Sequence, residues 1–253
     1  MGIPLGITTP VLDPAQVATF RATGYLVVRR MLPPTVVASL ARWAEEVATL
    51  PEMPGRQSVY HAPSLKHHGR CLLQRIERVT PFHDGFHRLT QALALPAGQL
   101  LGDAALLLAE RLEFVQPGRD GCAPRRDAAE PWMRYGSGFI SVIVAIDATG
   151  PGEACLEIAA GQHRHGLHRP APTLDGATIA ALDFEPVGVE PGDLVYLDPY
   201  APYRVCRNRT GAARRRFRVL FNRLRDGDHQ EQFYADRHRS DPPDIEKLVP
   251  ASG

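Results

Sequence analysis

Lysine is nearly missing from this chain. Of its 29 basic residues only Lys66 and Lys247 are lysines and the rest are arginines. Positive charge is therefore carried by planar guanidinium groups, which stay protonated, ligate no metal and pair well with oxyanions. Net charge is small as well, at +1. Without a clustered basic excess, neither nucleic acid nor an anionic membrane surface is an expected partner. Cysteine is scarce: Cys71, Cys122, Cys155 and Cys206 are far apart and form no C-x-x-C pair. That spacing argues against a zinc knuckle or a disulfide framework and for reduced thiols in a cytoplasmic protein. No apolar run approaches the roughly 20 residues of a membrane helix. Residues 1–10 show no basic stretch followed by an apolar one, so a secretory signal is not expected. There is no internal repeat, and nothing in the sequence specifies an oligomeric state.

What is present suits one soluble domain. The chain has 253 residues, 44% of them hydrophobic and 23% charged, enough for a single large core. Asp13-Pro14 before an apolar stretch, with Gly24 after it, predicts a short capped helix feeding a strand over Tyr25–Val28. Pro33-Pro34 opens a longer amphipathic helix, with Val37, Leu40, Ala44 and Val47 at helical spacing. Residues 55–70 read as polar and irregular. Their His61, His67 and His68 have no ligand partner at a recognisable spacing and are expected at the surface or in a substrate pocket. A second helical stretch carries Phe82, Phe86, Leu89, Leu93 and Leu95. From Ala104 the pattern changes to short β-rich runs separated by glycine and proline, as in a sandwich or barrel. These cover Leu106–Leu108, Arg111–Val115, Phe139–Ile146, Leu156–Ala159, Thr178–Phe184, Val187–Val189, Leu194–Leu197, Tyr203–Cys206 and Phe217–Phe221. The polar end, 225–253, is expected to wrap the surface.

In order and spacing, the segments TGYLVVRRML, LLQRIE, LLGDAALLLAERLEFVQPG, APRRDAAEPWMRYG, ISVIVAIDATGPGEACLEIAAGQHRHGL, EPGDLVYLDPYAPYRVCRNRTGAARRRFRVLFN and YADRHRSDPPDIEKL resemble the phytanoyl-CoA dioxygenase family of iron(II) and 2-oxoglutarate oxygenases. The resemblance covers almost the whole chain. It implies a mainly β fold, a double-stranded β-helix (jelly-roll, cupin-like) core over about 104–224. A helical part over about 13–103 and an extension over 225–253 would flank it in a single domain.

The family's iron is held by a His-X-Asp and a distal histidine. The resemblance puts Arg125 where the first histidine belongs, keeps the carboxylate as Asp127, and puts Tyr203 where the distal histidine belongs, with Asn208 and Thr210 following at the family's spacing. A family lysine becomes Val115. The 2-oxoglutarate arginine corresponds to Arg214, with Arg216 on the same strand face. Gln74, Arg75, Trp132 and Tyr135 match pocket-lining positions. His163, His165 and His168 fall in a loop that is structural in the family.

Arginine offers a metal no lone pair, and a phenol binds as phenolate only if a pKa near 10 falls by several units. With two of three ligands replaced, no metal or other cofactor is expected. If 125 and 127 lie two apart on a strand, both side chains face the barrel interior and Arg125 pairs with Asp127. The leading expectation is a non-oxidative, iron-independent enzyme tailoring a small molecule, with Arg125, Asp127 and Tyr203 as its catalytic group. The alternatives are an oxygenase that still uses Fe(II) and 2-oxoglutarate through atypical ligands, and a catalytically inactive binding protein.

Overall fold

The computed structural model describes residues 11–65, 68–119, 121–129, 131–165 and 174–247. Helix α1, Pro14–Thr23, begins where the sequence signals it. Asp13 accepts from the Gln16 backbone, the Gln16 side chain accepts from Asp13 N–H, and Gly24 ends the helix at φ 81°, a left-handed turn that favours glycine. Strand β1, Tyr25–Val28, follows, then α2, Pro34–Ala48. The stretch expected to be irregular contains strand β2, Ser58–Pro63, paired to β3, Cys71–Glu77. The polar residues there hid a strand whose buried side is only Val59, Tyr60 and Ala62. Helix α3, Asp84–Leu101, precedes β4, Ala105–Val115. The latter joins two of the expected β runs into one strand.

Strands β5, Phe139–Ala145; β6, Leu156–Ile158; β7, Glu185–Val187; β8, Leu194–Leu197; β9, Tyr203–Val205; and β10, Arg214–Arg223 complete the two sheets. The strand expected over Thr178–Phe184 is instead a short helix, α4, Gly176–Ala180. Asp175 accepts a hydrogen bond from Thr178 N–H, and this N-cap overrides the β-branched residues. One antiparallel sheet runs β1-β8-β5-β10-β4-β3-β2 and the other β7-β6-β9. This is the expected double-stranded β-helix, with β1, β2 and β3 of the expected helical part added to its large sheet.

Each face of the large sheet has its own role. Leu40, Trp43, Phe86, Leu89 and Leu93 of α2 and α3 pack on Phe217, Val219 and Phe221 of β10. Between the sheets, Ile143, Leu156, Ile158, Val195, Leu197 and Val205 form a second apolar layer. All seven residues of β5 are buried, as expected of a strand covered on both faces. The C-terminal segment does more than wrap the surface. Helix α5, Gln230–Ser240, brings Phe233, Tyr234, Asp236 and Arg237 over the open end of the barrel, and α6, Asp244–Lys247, follows it. Among the described residues, no helix is long and apolar enough to cross a membrane.

Candidate active site

Alternation along β10 decides what faces the barrel interior. Phe217, Val219 and Phe221 take the helix side, so Arg214, Arg216 and Arg218 share the opposite face. Across the sheet, Arg216 stands opposite Glu113 of β4 and Glu113 opposite Arg75 of β3. The next row sets Arg218 opposite Arg111 and Arg111 opposite Glu77. The first row alternates in sign. The second brings two arginines together, and like charges placed opposite one another repel. Arg218 therefore finds its counter-charge across the barrel.

That counter-charge is Asp127. Arg218 Nη2 donates to Asp127 Oδ2 in an ion pair and to Ser141 Oγ at 3.0 Å. Its Nη1 donates to the Tyr203 hydroxyl at 3.0 Å. Tyr203 in turn donates to Asp127 Oδ1 at 2.8 Å, and Ser141 donates to Asp127 Oδ2 at 3.2 Å. The four side chains form a closed knot in which Tyr203 is 3%, Asp127 4% and Arg218 8% exposed. Burial works against the Arg218 charge, but Asp127, Tyr203 and Glu113 more than offset it and hold its pKa above the ordinary arginine value. Burial, and then the Asp127 charge acting against Arg218, push Tyr203 far above a normal phenol, so it keeps its proton at neutral pH.

The backbone explains how Asp127 reaches this point. Arg125 N–H donates to Tyr203 O and Tyr203 N–H to Arg125 O, both at 2.9 Å, but this pairing is a single isolated bridge. The chain then turns into a short 3-10 segment, Asp127–Ala129, rather than continuing as a strand. Ala128 N–H donates to Pro199 O at 2.6 Å and Arg126 Nε to Tyr200 O at 3.0 Å. Gly121 permits the close approach to β9, since a Cβ there would lie 2.4 Å from Val205 Cβ. Arg125 and Asp127 thus share a cavity by way of a bridge and a turn. The guanidinium seen on Asp127 is that of Arg218, where the sequence led us to expect Arg125.

The cavity is about 570 Å³. Among the described residues, eight arginines, at 75, 111, 119, 125, 134, 216, 218 and 237, and five carboxylates, at 77, 110, 113, 127 and 236, line it. Burial alone would raise the pKa of Glu113, yet Arg216 and Arg111 hold it well below the usual carboxylate range; Arg216 pairs with it and Arg111 Nε lies 2.5 Å away. Burial would likewise raise Glu77, but Arg237 and Arg75 hold it low. Glu110 behaves in the opposite way. Burial pushes it up to about 6, against hydrogen bonds from the Val79 and Thr80 backbones and the Thr80 hydroxyl.

Most of the residues singled out from sequence meet here. Gln74, Arg75, Arg125, Asp127, Tyr135, Tyr203 and Arg216 all line the cavity. Tyr135 donates to Asp236 of α5 at 2.5 Å. Arg214 lies apart, in a smaller recess between the sheets with Val115 and Ile143, and its Nη2 is 3.3 Å from Glu153. Trp132 belongs to the turn Pro131–Tyr135, with its side chain outside the described residues. His67 and His168 also lie outside them, as does the side chain of His165. His61 sits at the surface between Glu52 and Asp244, at 3.7 and 3.4 Å.

The donor set does not fit a facial triad. Asp127 has both oxygens engaged, Tyr203 keeps its proton, and the cationic Arg218 head fills the space between them. Sequence reasoning missed Arg218, Ser141, Glu113 and the acid-base pairs of α5. A signal for Arg218 was present in RRRFRV, where a third arginine falls on the inward phase of a strand whose other phase is Phe-Val-Phe.

The model of the family described as Phytanoyl-CoA dioxygenase (PhyH) matches residues 20–216. A methylphosphonate hydroxylase of Gimesia maris is 30% identical over 233 residues, which are 90% of this chain and 88% of that protein. A 2-aminoethylphosphonate dioxygenase of an uncultured bacterium (HF130_AEPn_1) is 26% identical over 238 residues, 92% and 90% of the two chains. Among solved structures, EctD from S. alaskensis with 2-oxoglutarate and 5-hydroxyectoine superposes with a TM-score of 0.72 at 18% identity, over 85% of this chain and 77% of that one. The 2-oxoglutarate-dependent epimerase SnoN of nogalamycin biosynthesis gives 0.67 at 17% identity, over 83% and 84%. These two likenesses concern the fold.

Proposed function

Because the chain belongs to the phytanoyl-CoA dioxygenase family, an enzyme family, and carries a guanidinium between the family's metal-ligand positions, we propose that it is an iron-independent enzyme acting on a small anionic molecule. The Arg218 ion pair with Asp127 carries the iron-independent part of this reading. The excess of arginine over carboxylate among the described lining residues carries the anionic part, and phosphonates are its nearest class, since two relatives are named for methylphosphonate and 2-aminoethylphosphonate. Phosphonate oxygens accept the forked hydrogen bonds that arginine donates.

In this reading Arg125 and Arg119 hold the anionic group at the cavity wall, and Gln74, Arg75, Arg216 and Tyr135 shape the rest of the pocket. Tyr203 is the relay. A proton leaving the substrate is taken up on Tyr203 Oη while the tyrosine's own proton passes to Asp127 Oδ1, 2.8 Å away. Arg218, 3.0 Å from Oη, steadies the charge that develops there. Such positioned proton transfer contributes about 100- to 10,000-fold, and it suits isomerisation, elimination or cyclisation. A second reading, a binding protein without turnover, is favoured by one observation: both Asp127 oxygens are already occupied by partners within the fold.

The test is to strip the protein with a chelator and follow a phosphonate panel by thermal shift and by phosphorus NMR under anaerobic conditions. Stabilisation together with conversion supports the enzyme. Stabilisation without conversion, unchanged in Asp127→Asn, supports the binding protein. Stoichiometric retention of Fe(II) together with 2-oxoglutarate consumption would overturn both.

A further inference from the structure

The small sheet carries a second reactive group, outside the Asp127 knot. Leu156 pairs with Val205 across β6 and β9, so the next cross-strand pair is Cys155 and Cys206. Cys206 N–H donates to Cys155 O at 2.9 Å, and the two Sγ atoms lie 3.2 Å apart. Directly opposed residues on antiparallel strands have Cα separations of about 4.5–5.5 Å, inside the range a disulfide spans. The two thiols differ in access. Cys155 has no exposed surface, while Cys206 is half-buried.

We propose that Cys155 and Cys206 form a peroxide-responsive dithiol, a modification site that closes as a disulfide and fixes β6 to β9 three residues from Tyr203. The chemistry balances with hydrogen peroxide as oxidant. Cys206 Sγ attacks one peroxide oxygen, the O–O bond breaks, and the products are a sulfenic acid and water. Cys155 Sγ then attacks the Cys206 sulfur as its own proton passes to the departing sulfenic oxygen, which leaves as a second water. The two thiols lose two electrons and two protons and the peroxide gains them. Burial, followed by the neighbouring thiol, pushes Cys155 up to about 12, so it stays protonated at neutral pH and the first attack falls to Cys206.

A metal is the competing occupant, because Glu157 brings a carboxylate within 4.8 Å of both sulfurs. Glu157, however, is held in an ion pair by Arg204, and a protonated, buried Cys155 is a poor ligand. The fold favours sulfur-sulfur bonding.

The full chain, reduced and gel-filtered, is exposed to graded hydrogen peroxide, alkylated after unfolding, and analysed by mass spectrometry. The expected result is loss of two hydrogens, two of the four cysteines protected from alkylation, a peptide joining Cys155 to Cys206, and reversal by dithiothreitol. Cys155→Ser is expected to stall the reaction at a Cys206 sulfenic acid that dimedone traps, and Cys206→Ser to give neither product. Cys155→Ala serves the same purpose if serine unfolds the buried position. Added oxygen on Cys206 with Cys155 still alkylatable would overturn the proposal. So would intermolecular dimers through Cys71, or one Zn(II) retained per chain and lost in Cys206→Ser.

Discussion

Replacing Arg218 by methionine removes the cation from the Asp127 knot while keeping much of its volume. Asp127 would then be a carboxylate 4% exposed, with the Tyr203 hydroxyl at 2.8 Å and the Ser141 hydroxyl at 3.2 Å as its hydrogen-bond partners among the described residues. Deleting one side of a buried ion pair costs about 3–5 kcal/mol because the remaining charge is left uncompensated. Two retained hydrogen bonds put this case near the lower end, about 3 kcal/mol. In urea at pH 7, with a slope near the top of the usual range, that is a fall of about 1 M in the unfolding midpoint. The cycle is completed by Asp127→Asn and the double variant. Asparagine still accepts from Tyr203 and carries no charge, so the double variant should be more stable than Arg218→Met alone, with a coupling of about 2 kcal/mol. A double variant as unstable as the sum of the singles would refute the ion pair as the centre of the site. A midpoint unchanged in Arg218→Met would do so as well.

How far the sequence revealed this site depended on whether a residue's role was local or set by pairing across sheets. Asp127, Arg125 and Tyr203 were legible because the segments around them keep the family's order; in the structure Arg125 bridges to Tyr203 and the Tyr203 hydroxyl donates to Asp127. The partner of Asp127 was not legible, since strand register alone puts Arg218 opposite Arg111 and sends it across the barrel for a counter-charge. The same limit hid Glu113, whose neighbours Arg75 and Arg216 come from segments far apart in the chain. Helix α4 escaped because Thr178 and Ile179 favour a strand while the determining contact is one Asp175 cap. Strand β2 escaped because its outward residues are polar and its length is short. Cys155 and Cys206 looked unrelated at a separation of 51 residues, and only the β6–β9 pairing makes them neighbours.

Glu110 gives a pH prediction. Its folded pKa is about 6 against 4.5 unperturbed, so the folded state holds this proton more tightly than the unfolded one. Its stabilising effect is full below about pH 4.5 and is lost as pH rises through 6, by about 2 kcal/mol. The difference in urea stability between the native chain and Glu110→Gln should therefore fall by about 1.5 kcal/mol of this between pH 4.5 and 6.5; a flat difference would contradict the buried carboxylate. Tyr203→Phe takes a donor from Asp127 and an acceptor from Arg218, which should cost about 1–3 kcal/mol in the same assay and abolish turnover while leaving phosphonate binding in place. The last prediction concerns iron. Arg125→His with Tyr203→His returns the donors that the resemblance expects, and if those two changes alone had removed the metal, the double variant would bind Fe(II). Arg218 says otherwise. A guanidinium about 4 Å from a dication, at an effective dielectric constant of 20, repels it by on the order of 8 kcal/mol, and it also holds the Asp127 oxygen a metal would need. Anaerobic equilibrium dialysis with elemental analysis should find Fe(II) binding only in the triple variant that adds Arg218→Ala, and stoichiometric iron in the double variant would show that Arg218 moves aside and that the knot is no barrier to a metal.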